Sequence, residues 1–192
     1  MRRLSASLTF VLLLTACSRH PDHALSSAGG APSARTSVAV PAARPGMDTA
    51  NADYYTRSNL PEWAYATLRD DGSFQERYQL FLQFNPFFQS GLFSGDSLPD
   101  VAILITERRS GRRGIAILHS GDHSIHIIGA GTEFGNGGDD FAWLGQWSVE
   151  DASVLDEPSI RGRQALYIGK GDSAGGMVWW NGKQYIWTQW GD

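Results

Sequence analysis

The chain has 192 residues, a formal charge of −4 and a single cysteine. One cysteine excludes an internal disulfide framework. With 20 Asp plus Glu against 16 Lys plus Arg, the balance argues against nucleic-acid binding, which needs a basic face.

In chain order, Met1-Arg2-Arg3 supplies positive charge and Leu8 to Leu14 form a short apolar run. The run is too short to span a hydrocarbon core of about 30 Å, but it has the dimensions of a secretory signal peptide. The next segment, Leu14-Thr15-Ala16-Cys17, resembles the bacterial lipobox. That resemblance implies removal of residues 1–16 and acylation of Cys17. It also accounts for the lone cysteine, since an exposed free thiol is a liability in an oxidising compartment. Each buried methylene contributes ~0.8 kcal/mol, so several acyl chains hold a protein at the membrane. Ser18, where an Asp would favour inner-membrane retention in similar Gram-negative lipoproteins, implies an outer-membrane anchor facing the periplasm. Residues 17–46 are rich in Ala, Ser, Pro and Gly and carry no aromatic residue. Such a segment buries too little to offset chain entropy and is expected to act as a flexible tether.

Residues 47–192 are expected to form one folded domain. They hold every aromatic residue but Phe10 and carry a formal −8 from position 46 onward. The fold class expected is all-β: mainly antiparallel short strands and hairpins, propeller-like or sandwich-like. Aliphatic and aromatic runs at 78–84, 87–93, 101–106, 114–119, 124–128, 141–149, 165–168, 177–180 and 184–189 are separated by Gly, Asn, Asp and Ser clusters. One short helix is expected over 60–70, with Pro61 near its first turn. Asn181-Gly182 predicts a two-residue hairpin turn that sets Val178 opposite Tyr185. Val178, Trp180, Tyr185 and Trp187 would share one face, and Met177, Trp179, Ile186 and Trp190 the other.

The segment Phe93-Ser94-Gly95-Asp96-Ser97-Leu98-Pro99-Asp100-Val101-Ala102-Ile103 resembles the calcium loop of FG-GAP or VCBS-type repeats. In those loops oxygen ligands at alternate positions converge on one hard cation. The resemblance implies Ser94, Asp96 and Asp100 as calcium ligands. Leu92 replaces the first Asp and Ser97 the turn Gly, so the alternative is a turn held by Asp and Ser side chains. Gly-Ile-Ala-Ile-Leu-His-Ser-Gly at 114–121 resembles a segment of small bacterial lipoproteins. Some FG-GAP-like periplasmic lipoproteins are immunity proteins against lysozyme-like enzymes.

Gly95-Asp96-Ser97-Leu98 matches the GDSL esterase string, but Pro99 and a strand follow where a helix should open, and no downstream Asp-x-x-His appears. Gly171-Asp172-Ser173-Ala174-Gly175 resembles the serine-protease Gly-Asp-Ser-Gly-Gly with Ala174 out of place. Ile128-Gly129-Ala130-Gly131 lacks the helix that a dinucleotide fingerprint requires. His119, Asp122, His123 and His126 cluster in sequence. A hairpin would bring His119 near His123, where two imidazoles and a carboxylate could hold zinc; solvent-facing histidines are the simpler expectation.

No catalytic set assembles from these motifs. The expectation is a non-enzymatic domain that binds a protein partner in the periplasm, such as a basic cell-wall hydrolase. An envelope hydrolase or a purely structural lipoprotein are the alternatives. Two candidate contact regions stand out: the Gly-rich acidic loop carrying Glu133, Gly135, Gly137, Gly138, Asp139 and Asp140, and the basic hairpin tip carrying Arg108, Arg109, Arg112 and Arg113. Glycine N–H groups and guanidiniums are the donors that could meet a partner's carboxylates; the alternatives are a mobile connection for the loop and a solvated turn for the arginines.

Overall fold

The computed structural model describes residues 48–155, 157–171 and 174–191. Cys17, the tether, Asp172 and Ser173 lie outside the described residues.

Three short helices come first: α1 (Thr49–Asn59), α2 (Glu62–Asp70) and α3 (Gly72–Arg77). Asp48 starts α1 by accepting the Asn51 N–H, and α1 ends ahead of Pro61, which forms the N-terminal boundary of α2. Asp71 closes α2 and opens α3, its carboxylate accepting the Phe74 N–H and the Ser73 hydroxyl. Only the middle helix is legible from the sequence. α1 has no apolar stripe, burying Thr56 alone, and α3 is too short to show one.

The rest is mostly β, in two antiparallel sheets. The first holds β1 (Tyr78–Leu80), β2 (Phe88–Gly91), β3 (Asp100–Glu107), β4 (Arg113–Leu118) and β5 (Ile125–Gly129). Both β1 and β2 pair with β3, along its later and earlier parts respectively, and β4 and β5 follow in order. The second holds β6 (Gln146–Asp151), β7 (Gln164–Gly169), β8 (Gly175–Trp180) and β9 (Tyr185–Trp190), each paired with its sequence neighbour. Thus β2 to β5 and β6 to β9 are two copies of the same four-stranded meander.

Strand alternation divides the core. Ala102, Leu104, Ile115 and Ile117 from the first sheet share one apolar cluster with Trp147, Leu166, Ile168 and Val178 from the second. The opposite face of the first sheet, with Val101, Ile103, Ile105, Ala116 and Leu118, packs on Leu60, Ala64, Leu68 and Phe74 of the helical segment. The outer face of the second sheet, with Ala165 and Met177, is covered by Ala152, Leu155 and Ile160. β3 and β4 are buried on both faces, which is why they read as unbroken apolar runs.

Two expectations shift. The runs at 78–84 and 141–149 contain only three and four strand residues, because 81–87 turns the chain back toward β3 and 141–143 forms a 3-10 turn. The final hairpin pairs Val178 with Trp187 and Trp180 with Tyr185. Asn181 takes the first position of the turn, its side-chain oxygen accepting the Lys183 and Gln184 N–H groups, and Gly182 takes the positive φ of 94°. Moving the turn by one residue moves the register by two, so the face assignments survive.

Candidate functional site

Two ends of the paired sheets gather the candidate residues. At the first end, the 92–99 loop, the 119–124 turn and the β8–β9 turn converge. Asp100, the first residue of β3, is fully buried. Its Oδ2 accepts the Ser94 N–H at 2.7 Å and its Oδ1 the Ser120 N–H at 2.9 Å. Asp96 sits in the loop itself, its Oδ1 accepting the Leu98 N–H at 2.9 Å. Gly121 makes room for it, since a Cβ there would lie 2.3 Å from Asp96 Oδ2. Ser94 Oγ is buried with no hydrogen-bond partner. The carboxylates of Asp96 and Asp100 therefore face N–H donors, and these residues fit a hydrogen-bonded turn better than a calcium cradle. Among the described residues no group of three or more His, Cys, Asp or Glu is arranged to hold a metal.

The histidines separate in a way the sequence did not suggest. Ile117 pairs with His126, which puts His119 and His126 on one face, their ring centroids 4.4 Å apart. His123, with a positive φ of 57°, turns to stack on Trp63 at 5.7 Å. His119 is only 5% exposed, and its Nε2 lies 2.7 Å from the Tyr185 hydroxyl. Trp180 closes the group from the second sheet, 4.9 Å from the His119 ring and 4.7 Å from the His126 ring. The expectation of solvent-facing histidines thus fails for His119 and His126. Burial pushes the Tyr185 phenol well up and lowers both imidazoles, with the Asp100 carboxylate partly opposing the shift at His119. A protonated phenol beside a neutral imidazole is a stable hydrogen-bonded pair in a seam with little solvent access. Tyr185 is the residue that sequence reasoning missed here, because nothing local ties it to position 119.

At the other end, the acidic loop and the basic hairpin meet. Arg112 ion-pairs with Asp139, and the Arg113 N–H donates to Asp140 Oδ1 at 2.9 Å. Asp140 also accepts the Ala142 N–H and so caps a 3-10 turn. The Gly137 and Gly138 N–H groups are engaged within the loop and are not free donors. The Gly137 N–H donates to the Phe134 carbonyl and the Gly138 N–H to the Gly135 carbonyl. Gly135, at φ 50°, lies so close to Trp187 that a Cβ would approach its Cβ to 2.5 Å. Trp143 Nε1 donates to the Gly137 carbonyl at 3.0 Å. The four arginines also disperse. Arg108 Nε donates to the Gln75 and Tyr78 carbonyls, Arg113 lies over the Phe81 ring, and Arg109 and Glu133 are exposed without an ion pair among the described residues.

The esterase-like Ser97 is exposed at a positive φ of 70°. No described histidine is hydrogen-bonded to it; His119 and His126 bond Tyr185 and Ser124. No family model, curated protein or solved structure matches this chain.

Proposed function

We propose that this chain is a lipid-anchored outer-membrane lipoprotein whose β-domain binds a protein partner in the periplasm and performs no catalysis of its own. The observation that carries the reading is the joining of the 130–145 loop to the β3–β4 hairpin through Arg112–Asp139 and Arg113–Asp140. This fixes two surface segments as one patch with exposed charges of both signs, Glu133 and Arg109 among them. A preformed polar patch binds without the ordering cost that a free loop would carry. At the other end, Asp100 accepts the Ser94 and Ser120 N–H groups and His119 bonds the Tyr185 hydroxyl, so these polar groups are already engaged within the fold.

The finer architecture belongs to the same proposal. Two successive four-stranded meanders sharing an apolar interface support blade-like units of the FG-GAP kind, each in plain sequence order. Within this reading the partner class is a basic, lysozyme-like cell-wall hydrolase, toward which a domain of formal charge −8 is steered.

The full chain, added to a lysozyme-like hydrolase acting on purified peptidoglycan, should inhibit it stoichiometrically. Glu133→Lys should slow association and weaken its salt dependence. Saturable hydrolysis of an ester, peptide or glycan by the chain alone, lost on Ser97→Ala, would overturn the proposal in favour of an enzyme. For the anchor, Cys17→Ser should abolish palmitate incorporation and outer-membrane fractionation; retention of both would refute it.

A further inference from the structure

One cavity of the described domain opens beside the basic hairpin. It is a groove of about 700 Å³ between the helices and β1. Its size lies within the range of ligand and peptide clefts. Tyr65, Leu68 and Phe74 line it from the helical side, Leu80 from β1, and Phe81 and Leu82 from the chain just after it. The last three are only half-buried, so apolar surface is accessible there.

Backbone geometry along β1 adds direction. The Phe81 N–H donates to the Leu104 carbonyl, and the Arg108 N–H to the Arg77 carbonyl. In an antiparallel ladder these bonds turn the backbone groups of 77, 79 and 81 toward β3. The groups of 78, 80 and 82 then face away from it. Tyr78 is already occupied: its N–H caps α3 and its carbonyl accepts Arg108 Nε. Leu80 is left at an edge where no described strand pairs. A sheet edge with unpaired backbone groups is a template for another strand.

Charge selects the occupant. Among the lining residues Arg69, Arg108 and Arg113 face a single carboxylate, Asp53, which accepts the Tyr65 hydroxyl at 2.8 Å. Arg69 is paired bidentately with Asp70. Arg108 and Arg113 have no carboxylate partner among the described residues. A basic groove in an acidic domain points to an anionic ligand, and guanidiniums beside a free strand edge suit carboxylates spaced along an extended chain.

We infer that this groove binds an extended acidic peptide segment of a partner protein, which adds a strand beside β1 and sets its carboxylates against Arg108 and Arg113. Strand addition of this kind draws affinity from main-chain bonds and specificity from alternate side chains. The groove borders the β3–β4 hairpin of the patch proposed above, but Glu133 does not line it, so Glu133→Lys and the peptide titration below report on the two readings separately.

The test is fluorescence anisotropy of the full chain with a labelled short peptide alternating Glu with Val or Ile. Saturable binding is expected. Arg113→Gln, which removes a guanidinium that only stacks on Phe81, should weaken it about tenfold, the loss of one charge-assisted contact. Arg108→Gln should do the same, but it also frees the Gln75 and Tyr78 carbonyls. N-methylation of the peptide's edge-facing amides leaves the protein untouched and should cost at least as much. Equal binding of a Lys-for-Glu peptide, of poly-Glu of the same length or of the N-methylated peptide would overturn the inference, as would no binding at all. Displacement of the probe by a peptide copy of residues 37–46, at lower concentration than the probe itself, would assign the groove to this chain's own tether instead.

Discussion

Asp100 and Gln164 occupy matching places, each the first residue of the second strand of its meander. Each also receives a backbone N–H from the 92–99 loop region. Asp100 takes the Ser94 N–H and, across the sheet, the Ser120 N–H. Gln164 takes the Leu92 N–H at 2.8 Å, reaching from the second sheet to the first. The carboxylate is fully buried, whereas the amide is half-buried. The difference follows from what each must hold. A buried anion with two N–H donors binds its loop through charge-assisted bonds, each about twice as strong as a neutral one. The second meander spans the same gap with two 3-10 turns, whose own backbone bonds and the Asp151 cap close the loop, so its anchor need carry no charge.

The sharpest way to break this contrast is Asp100→Ala. It leaves two donors without their acceptor in the core and should cost about 4 kcal/mol in urea unfolding. Asp100→Asn, which retains one acceptor oxygen, should cost less than half as much. A loss under 1 kcal/mol for the alanine variant would show that water replaces the carboxylate. Next is Tyr185→Phe, which leaves His119 Nε2 unpaired between the sheets and should cost about 1–2 kcal/mol, read in the same way. Gln164→Ala should cost about 1 kcal/mol, the value of one neutral bond. A loss equal to that of Asp100→Ala would dissolve the distinction between the two anchors.

Acid titration sharpens the comparison further. Burial lowers His119 and His126, so below the ordinary value of 6.5 the unfolded chain binds protons that the folded domain resists. Stability is therefore full above that pH and is lost as pH falls below it. His126→Gln should flatten this slope; a slope unchanged by the substitution would locate the acid sensitivity elsewhere. The smallest effect expected is that of calcium. Millimolar calcium should leave the melting midpoint of the full chain unchanged, because Asp96 and Asp100 already face N–H donors. An upward shift lost on Asp96→Asn would restore the calcium loop suggested by the FG-GAP resemblance.

Local chemistry made much of this legible in advance. The short apolar runs bounded by Gly, Asn and Asp place seven of the nine described strands within a residue or two, because strand propensity and turn chemistry act over a few neighbours. The face assignments of the last hairpin survive a shifted turn because side chains alternate with a period of two. Asp100 stands out in the sequence as a loop carboxylate ahead of a strand, but its burial and its donors depend on where the 119–124 turn arrives. Helices α1 and α3 carry no readable stripe, since the surface that holds them is a sheet built from residues well downstream. The pairing of His119 with Tyr185, 66 positions apart, and the joining of Arg112 to Asp139 arise only when the two sheets close on one core. So does the groove at the free edge of β1, because an edge is a property of what fails to pair, which no single segment encodes. The sequence by itself determined where seven of the strands begin and end and which faces are apolar; the tertiary structure decided which polar groups meet, because those meetings depend on long-range packing and not on neighbours in the chain.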